Sequence, residues 1–133
     1  MAPMIPEKNM RILIVDDEEP ITRLLQHVFE ALRPTYEVSV VRDGQQAALG
    51  QQQRHSFDLA IVDDHLQSMK GLNLAYHLRQ HWPGTQIIII GGNLPVDITY
   101  HVKLLGLAGY LRKPFTPKQL LEVVDRALVE YSC

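Results

Sequence analysis

Residues 87–90 are four isoleucines in a row. A run that short, apolar on both faces, suits a strand at the centre of a parallel sheet with both sides covered. Parallel strands need long crossovers, so such a sheet requires helices between its strands. The chain supplies them. Residues 11–15 form a short apolar run that stops at Asp16-Asp17, and residues 36–41 read as a second strand. Residues 57–62 read as a third, closing on Asp63-Asp64, and residues 109–111 as a fifth, running into Lys113-Pro114.

The intervening segments carry helical periodicity. Ile21, Leu24, Leu25, Val28 and Leu32 make one stripe that Pro20 opens and Pro34 ends. Residues 45–53 predict a polar second helix with Ala47, Ala48 and Leu49 as its apolar content, after a turn at Asp43-Gly44. A third helix follows Gly71 with Leu74, Ala75 and Leu78 inward, ending at Trp82-Pro83-Gly84. Residues 95–105 predict a weaker fourth helix. Thr116-Pro117 signals the start of a fifth, striped by Leu120, Leu121, Val124, Leu128 and Tyr131. Five strands alternating with five helices give an α/β class, a doubly wound parallel sheet with right-handed crossovers.

Composition narrows the functions. Thirteen Lys and Arg against fifteen Asp and Glu leave a net charge of −2, without the basic excess that nucleic-acid backbone binding requires. The longest apolar runs fall far short of the roughly 20 residues that cross a bilayer, so a membrane role is not expected. Residues 1–9 hold Pro3, Pro6, Glu7 and Lys8 and lack the apolar core of a secretory signal; they read as a mobile lead to a domain over 10–133. One cysteine, Cys133, forms no internal disulfide and suits a reducing, cytoplasmic setting.

The polar residues fall where this architecture gathers ligands. In strand order 2-1-3-4-5, strands one and three are neighbours at the topological switch point, and ligands bind at their carboxyl ends. Asp16, Asp17, Asp63 and Asp64 end those strands, and Lys113 follows strand five at the same edge. Clustered carboxylates repel unless a cation joins them, and hard oxygen donors select Mg²⁺ or Mn²⁺. A carboxylate beside such a cation can attack a phosphoryl group, with a lysine opposite to offset its charge.

Three stretches, Ile12-Leu-Ile-Val-Asp-Asp-Glu18, Phe57-Asp-Leu-Ala-Ile-Val-Asp63 through Gly71, and Gly109-Tyr-Leu-Arg-Lys-Pro-Phe115, resemble the bacterial two-component response-regulator receiver domain over nearly the whole chain. The resemblance implies a flavodoxin-like receiver fold in which Asp63 is the phosphoacceptor. Asp17 would bind Mg²⁺ directly, Asp16 through water, and the backbone carbonyl of His65 would add a ligand. Lys113 would pair with the phosphoryl group, the Lys113-Pro114 bond would be cis, and Tyr110 would swing inward in the active state. The implied partners are a histidine kinase or phosphotransfer protein, then a downstream protein or an output domain fused after residue 133, or a second copy in a homodimer. The changing face would be helix four, strand five and helix five. Such a chain supports its own phosphotransfer and dephosphorylation and is otherwise not an enzyme.

Three departures stand beside the matches. Gly91 occupies the position of the family's Ser or Thr hydroxyl, Gln67 that of a proline, and Asp64 that of an apolar residue. Without the hydroxyl, phosphoryl occupancy is expected to reach Tyr110 weakly, through Gly91-Gly92 and Lys113. A threonine at 91 is expected to strengthen that link, provided Gly91 holds no left-handed backbone.

Other readings compete. The chain could be a receiver-like binding module that needs no phosphate, motivated by Gly91. A hydrolase of the haloacid-dehalogenase type fits less well, because its two aspartates lie one residue apart after strand one, whereas Asp16 and Asp17 are adjacent. His27, His55, His77, His81 and His101 are read as lying on separate elements without ligand spacing. The His65 ring is read as gating water rather than binding metal. Tyr100 and Lys103 on helix four are candidates for a partner surface, with ordinary exposure as the alternative.

Overall fold

The computed structural model describes residues 9–50 and 57–132. Its strands are β1 (Arg11–Val15), β2 (Glu37–Val41), β3 (Leu59–Asp63), β4 (Gln86–Gly91) and β5 (Gly109–Arg112). Its helices are α1 (Glu19–Leu32), α2 (Gly44–Gly50), α3 (Gly71–His81), α4 (Ile98–Leu105) and α5 (Pro117–Ser132). The five strands are parallel in the order β2-β1-β3-β4-β5, the expected doubly wound arrangement. The lead over residues 1–8, the end of the second helix at 51–53, His55 and Cys133 lie outside the described residues.

Alternation divides the core, since successive strand side chains point to opposite faces. Ile88 and Ile90 join Ile12, Ile14, Leu59, Ile61 and Leu111 on the face covered by α1 and α5, where Leu25, Phe29, Leu120 and Val124 pack. Ile87 and Ile89 join Leu13, Val15, Ala60 and Val62 on the other face, under Leu74, Leu78 and Ile98 of α3 and α4. All four isoleucines are fully buried, which explains a run with no polar alternation.

Element ends differ from the sequence reading for local reasons. β3 starts at Leu59 rather than at Phe57. The Phe57 ring instead sits edge-on to Trp82 at 5.6 Å and beneath the Arg11 guanidinium at 4.7 Å, and the Asp58 carboxylate accepts from the Arg11 N–H at 2.8 Å. β3 then runs through Asp63, which pairs with Ile90. β2 starts after Tyr36, whose N–H closes a turn onto the Arg33 carbonyl. α4 starts at Ile98 because residues 95–97 form a turn, with the Ile98 N–H bonded to the Pro95 carbonyl. β4 takes in Gln86 and Gly91, and β5 extends to Arg112.

α5 begins with a reciprocal cap. The Thr116 hydroxyl accepts from the Gln119 N–H at 3.1 Å, and the Gln119 side-chain oxygen accepts from the Thr116 N–H at 2.9 Å. Pro117 at the first helical position has no N–H to satisfy.

Candidate functional site

The alternation that builds the core also aims the site. Asp16 continues the row Ile12, Ile14; Asp63 continues Leu59, Ile61; Lys113 continues Leu111. Each row belongs to the same sheet face and each outruns its apolar covering at the carboxyl edge, so three polar side chains meet there. Lys113 Nζ lies 3.1 Å from Asp63 Oδ1, 3.2 Å from Asp16 Oδ2 and 2.9 Å from Glu18 Oε1. The Lys113 side chain is only 12% exposed, and Asp16 and Asp63 are buried. The Lys113-Pro114 peptide is cis, and the Lys113 N–H donates to the Gly91 carbonyl at 2.9 Å.

Burial dominates the electrostatics. It lifts the Asp16 carboxyl from 3.8 to about 6; the Glu18 N–H that Asp16 accepts opposes this, Asp63 adds to it and Lys113 opposes it. Burial likewise raises Asp63 against the pull of Lys113. Burial works against the Lys113 charge too, but Glu18, Asp16 and Asp63 outweigh it and hold the ammonium well above its ordinary value. One cation therefore does not compensate the buried carboxylates fully.

Asp16, Asp17 and Asp63 each offer an oxygen, and these oxygens lie within 4.8 Å of one another. This hard, anionic donor set fits a small divalent cation such as Mg²⁺ or Mn²⁺. The loop after β3 is held by a bridge between His65 and Lys70. The His65 backbone pulls the Asp63 carboxyl down, and the His65 ring is exposed. A cleft of about 590 Å³ opens over these groups, with Asp17, Asp63, Asp64, Gly91 and Lys113 in its lining.

Gly91 departs from the expectation in an informative way. Its backbone is not left-handed, yet a Cβ added there would stand 2.8 Å from the Asp64 Cβ and 3.0 Å from Leu94 Cδ2. Space, not φ, opposes a side chain, so a threonine at 91 requires Asp64 or Leu94 to shift. The cause lies in the register. Asp63 pairs with Ile90, so Asp64 falls beside Gly91, on the face opposite Asp63. Burial pushes the Asp64 carboxyl up, while His65, Lys70 and Lys113 pull it down.

Tyr110 pairs with Ile89 and is half-buried, lining a groove of about 370 Å³ with Val102 of α4 and Val123 and Arg126 of α5. The Arg112 guanidinium sits 5.8 Å from the Tyr110 ring centre, and its Nη1 lies 3.4 Å from the Leu94 carbonyl. Tyr100 is exposed on α4, as is Lys103. Gln67 is exposed at the rim of the cleft. His77 and His81 do not lie on separate elements: both are on α3, one turn apart, with ring centres 4.6 Å from each other.

Sequence reasoning missed the parts played by Glu18, Arg112 and Asp64. Glu18 reaches Lys113 from the turn before α1, which no strand pattern forecasts. The Asp64–Gly91 contact was signalled by both residues departing from the resemblance together.

Comparison with known proteins agrees with this fold. The response regulator receiver domain model matches residues 12–125. The chain is 33% identical over 114 residues to the alginate biosynthesis transcriptional regulatory protein AlgB of Pseudomonas aeruginosa, covering 86% of this chain and 25% of that protein. It is 28% identical to the chemotaxis protein CheY-3 of Vibrio cholerae, covering 92% and 94% of the two chains. A crystal structure of a CheY-like response regulator receiver domain protein from Methanospirillum hungatei superimposes with a TM-score of 0.84 at 27% identity, covering 94% and 98%. The chain thus spans about a quarter of the length of AlgB and nearly all of CheY-3. Among the described residues no helix is long and apolar enough to cross a membrane. With its fold, its three acids and its lysine in one cleft, and a family match over most of its length, the chain belongs to the response regulator receiver domain family.

Proposed function

We infer that Asp63 receives a phosphoryl group from a phosphohistidine on a histidine kinase or phosphotransfer protein. The observation that carries this reading is Lys113 Nζ at 3.1 Å from Asp63 Oδ1, with Asp16 and Asp17 oxygens within 4.8 Å of the Asp63 carboxylate. An Asp63 oxygen attacks phosphorus, the P–N bond to the donor imidazole breaks, and its electron pair stays with the imidazole nitrogen. Lys113 then turns from its carboxylate partners to the incoming oxygens and offsets their charge. Asp17, Asp63, the His65 carbonyl and Asp16 would hold Mg²⁺ or Mn²⁺, which would supply charge stabilisation for the transferring group. Hydrolysis of the acyl phosphate by water in the same cleft resets the domain.

Readout runs through the face of α4, β5 and α5. Moving Lys113 shifts β5, and Tyr110 and Arg112 on that strand connect it to α4 and to the loop at Leu94. A downstream protein, a fused output domain or a second copy reads the change. Gly91 favours a second reading, a receiver-like module that binds its partner without phosphate, because residue 91 carries no hydroxyl to sense the phosphoryl group.

Intact-mass measurement after acetyl phosphate and Mg²⁺ separates them. The first reading expects a gain of one phosphoryl group in the native chain and none in Asp63→Asn. No gain in the native chain supports the second.

A further inference from the structure

Asp64 has no role in the transfer just described, yet its backbone is tightly fixed. Its N–H donates to the Ile90 carbonyl at 2.7 Å, and its carbonyl accepts from the Gly71 N–H at 2.8 Å. A Cβ on Gly71 would stand 2.1 Å from the Asp63 carbonyl oxygen, so this approach is open only to glycine. Clamped from both sides, Asp64 projects its Cβ to within 2.8 Å of where a residue-91 Cβ would be. In this backbone a side chain at 91 would therefore crowd residue 64, which holds that space here. The occupant lines the same cleft as Asp63 and Lys113.

We propose that Asp64 replaces the residue-91 side chain as the wall of the phosphoryl pocket and sets the pocket's selectivity by charge, weakening its hold on phosphoryl-like anions and strengthening its hold on the divalent cation. The proposal rests on Asp63 as the phosphoacceptor. A hydroxyl on residue 91 would donate to a phosphoryl oxygen. An ionised carboxylate cannot donate, and it repels the phosphoryl dianion across a cleft where water screens only partly.

The test uses the full chain. Mg²⁺ alone is titrated first, then beryllofluoride, a phosphoryl mimic, at saturating Mg²⁺, both by calorimetry, in native, Asp64→Asn and Asp63→Asn proteins. Asp64→Asn keeps the shape and removes the charge. It should raise beryllofluoride affinity by about tenfold, the order expected of one charge across a cleft at an effective dielectric of about 20, and should lower Mg²⁺ affinity. A loss of packing alone would move both affinities the same way. The shared space is tested by melting. Gly91→Ala should lower the melting temperature by about 5 °C, as overpacking does, and Asp64→Gly with Gly91→Ala should recover most of the drop beyond the cost of Asp64→Gly alone. The proposal is overturned if native and Asp64→Asn bind both ligands equally, or if Gly91→Ala melts with the native chain. If no variant binds beryllofluoride, or Asp63→Asn binds it as the native chain does, the phosphoacceptor reading falls and this proposal with it.

Discussion

Glu18 Oε1 stands 2.9 Å from Lys113 Nζ, closer than either buried aspartate that shares the same ammonium. Glu18 is 58% exposed and the aspartates are buried, so the shortest of the three contacts is also the most screened. Glu18→Gln should therefore cost less than about 1 kcal/mol of stability. Lys113→Met, which leaves two buried carboxylates without their cation, should cost about 2 kcal/mol at neutral pH. Urea denaturation of the two variants measures the difference, and equal losses would contradict this ranking.

Asp16 makes stability pH-dependent in a direction set by burial. The folded carboxyl keeps its proton to about pH 6, whereas the unfolded one titrates near 3.8. Between those values the folded state binds more protons, so stability falls as pH rises through the window. Asn at 16 retains an oxygen for the Glu18 N–H but carries no charge. In metal-free buffer Asp16→Asn should be more stable than the native chain at pH 7.5, by up to about 3 kcal/mol, and the advantage should shrink toward pH 4. A gap that stays constant with pH would show that the charge is not its source.

Adding Mg²⁺ should offset the same buried negative charge. A ligand at 100 times its dissociation constant stabilises the folded state by about 2.7 kcal/mol. The native melting temperature should rise with Mg²⁺ and return on chelation. Asp17→Asn should lose most of that increment, and an undiminished rise would remove Asp17 from the metal site.

The cap on α5 is a separate element, remote from this chemistry. Thr116→Ala removes the acceptor for the Gln119 N–H and should cost about 1 kcal/mol. Chemical denaturation should register this with no change in Mg²⁺ affinity.

Much of the fold was legible because β1, β3 and β4 are short, apolar and stopped by a charged or glycine pair. The aspartates and the lysine were legible for the same reason, since a strand that ends in acids at the switch point leaves them few other places. Strand ends were less so. Phe57 has the composition of a strand residue, and its use as a partner for Trp82 and Arg11 is a tertiary contact. The Thr116–Gln119 spacing announces a capping box, and both of its hydrogen bonds form. Gly91 was recognised as a missing hydroxyl, while the neighbour that fills its space could be identified only through the β3–β4 register.

Asp63, on the reading proposed above, carries the phosphoryl group as a mixed anhydride. After acetyl phosphate and Mg²⁺, borohydride reduces an aspartyl phosphate to homoserine, which peptide mass mapping then locates. The expected result is homoserine at position 63, dependent on Mg²⁺ and abolished by prior hydroxylamine. Homoserine at another aspartate, or phosphate that survives hydroxylamine, would contradict it.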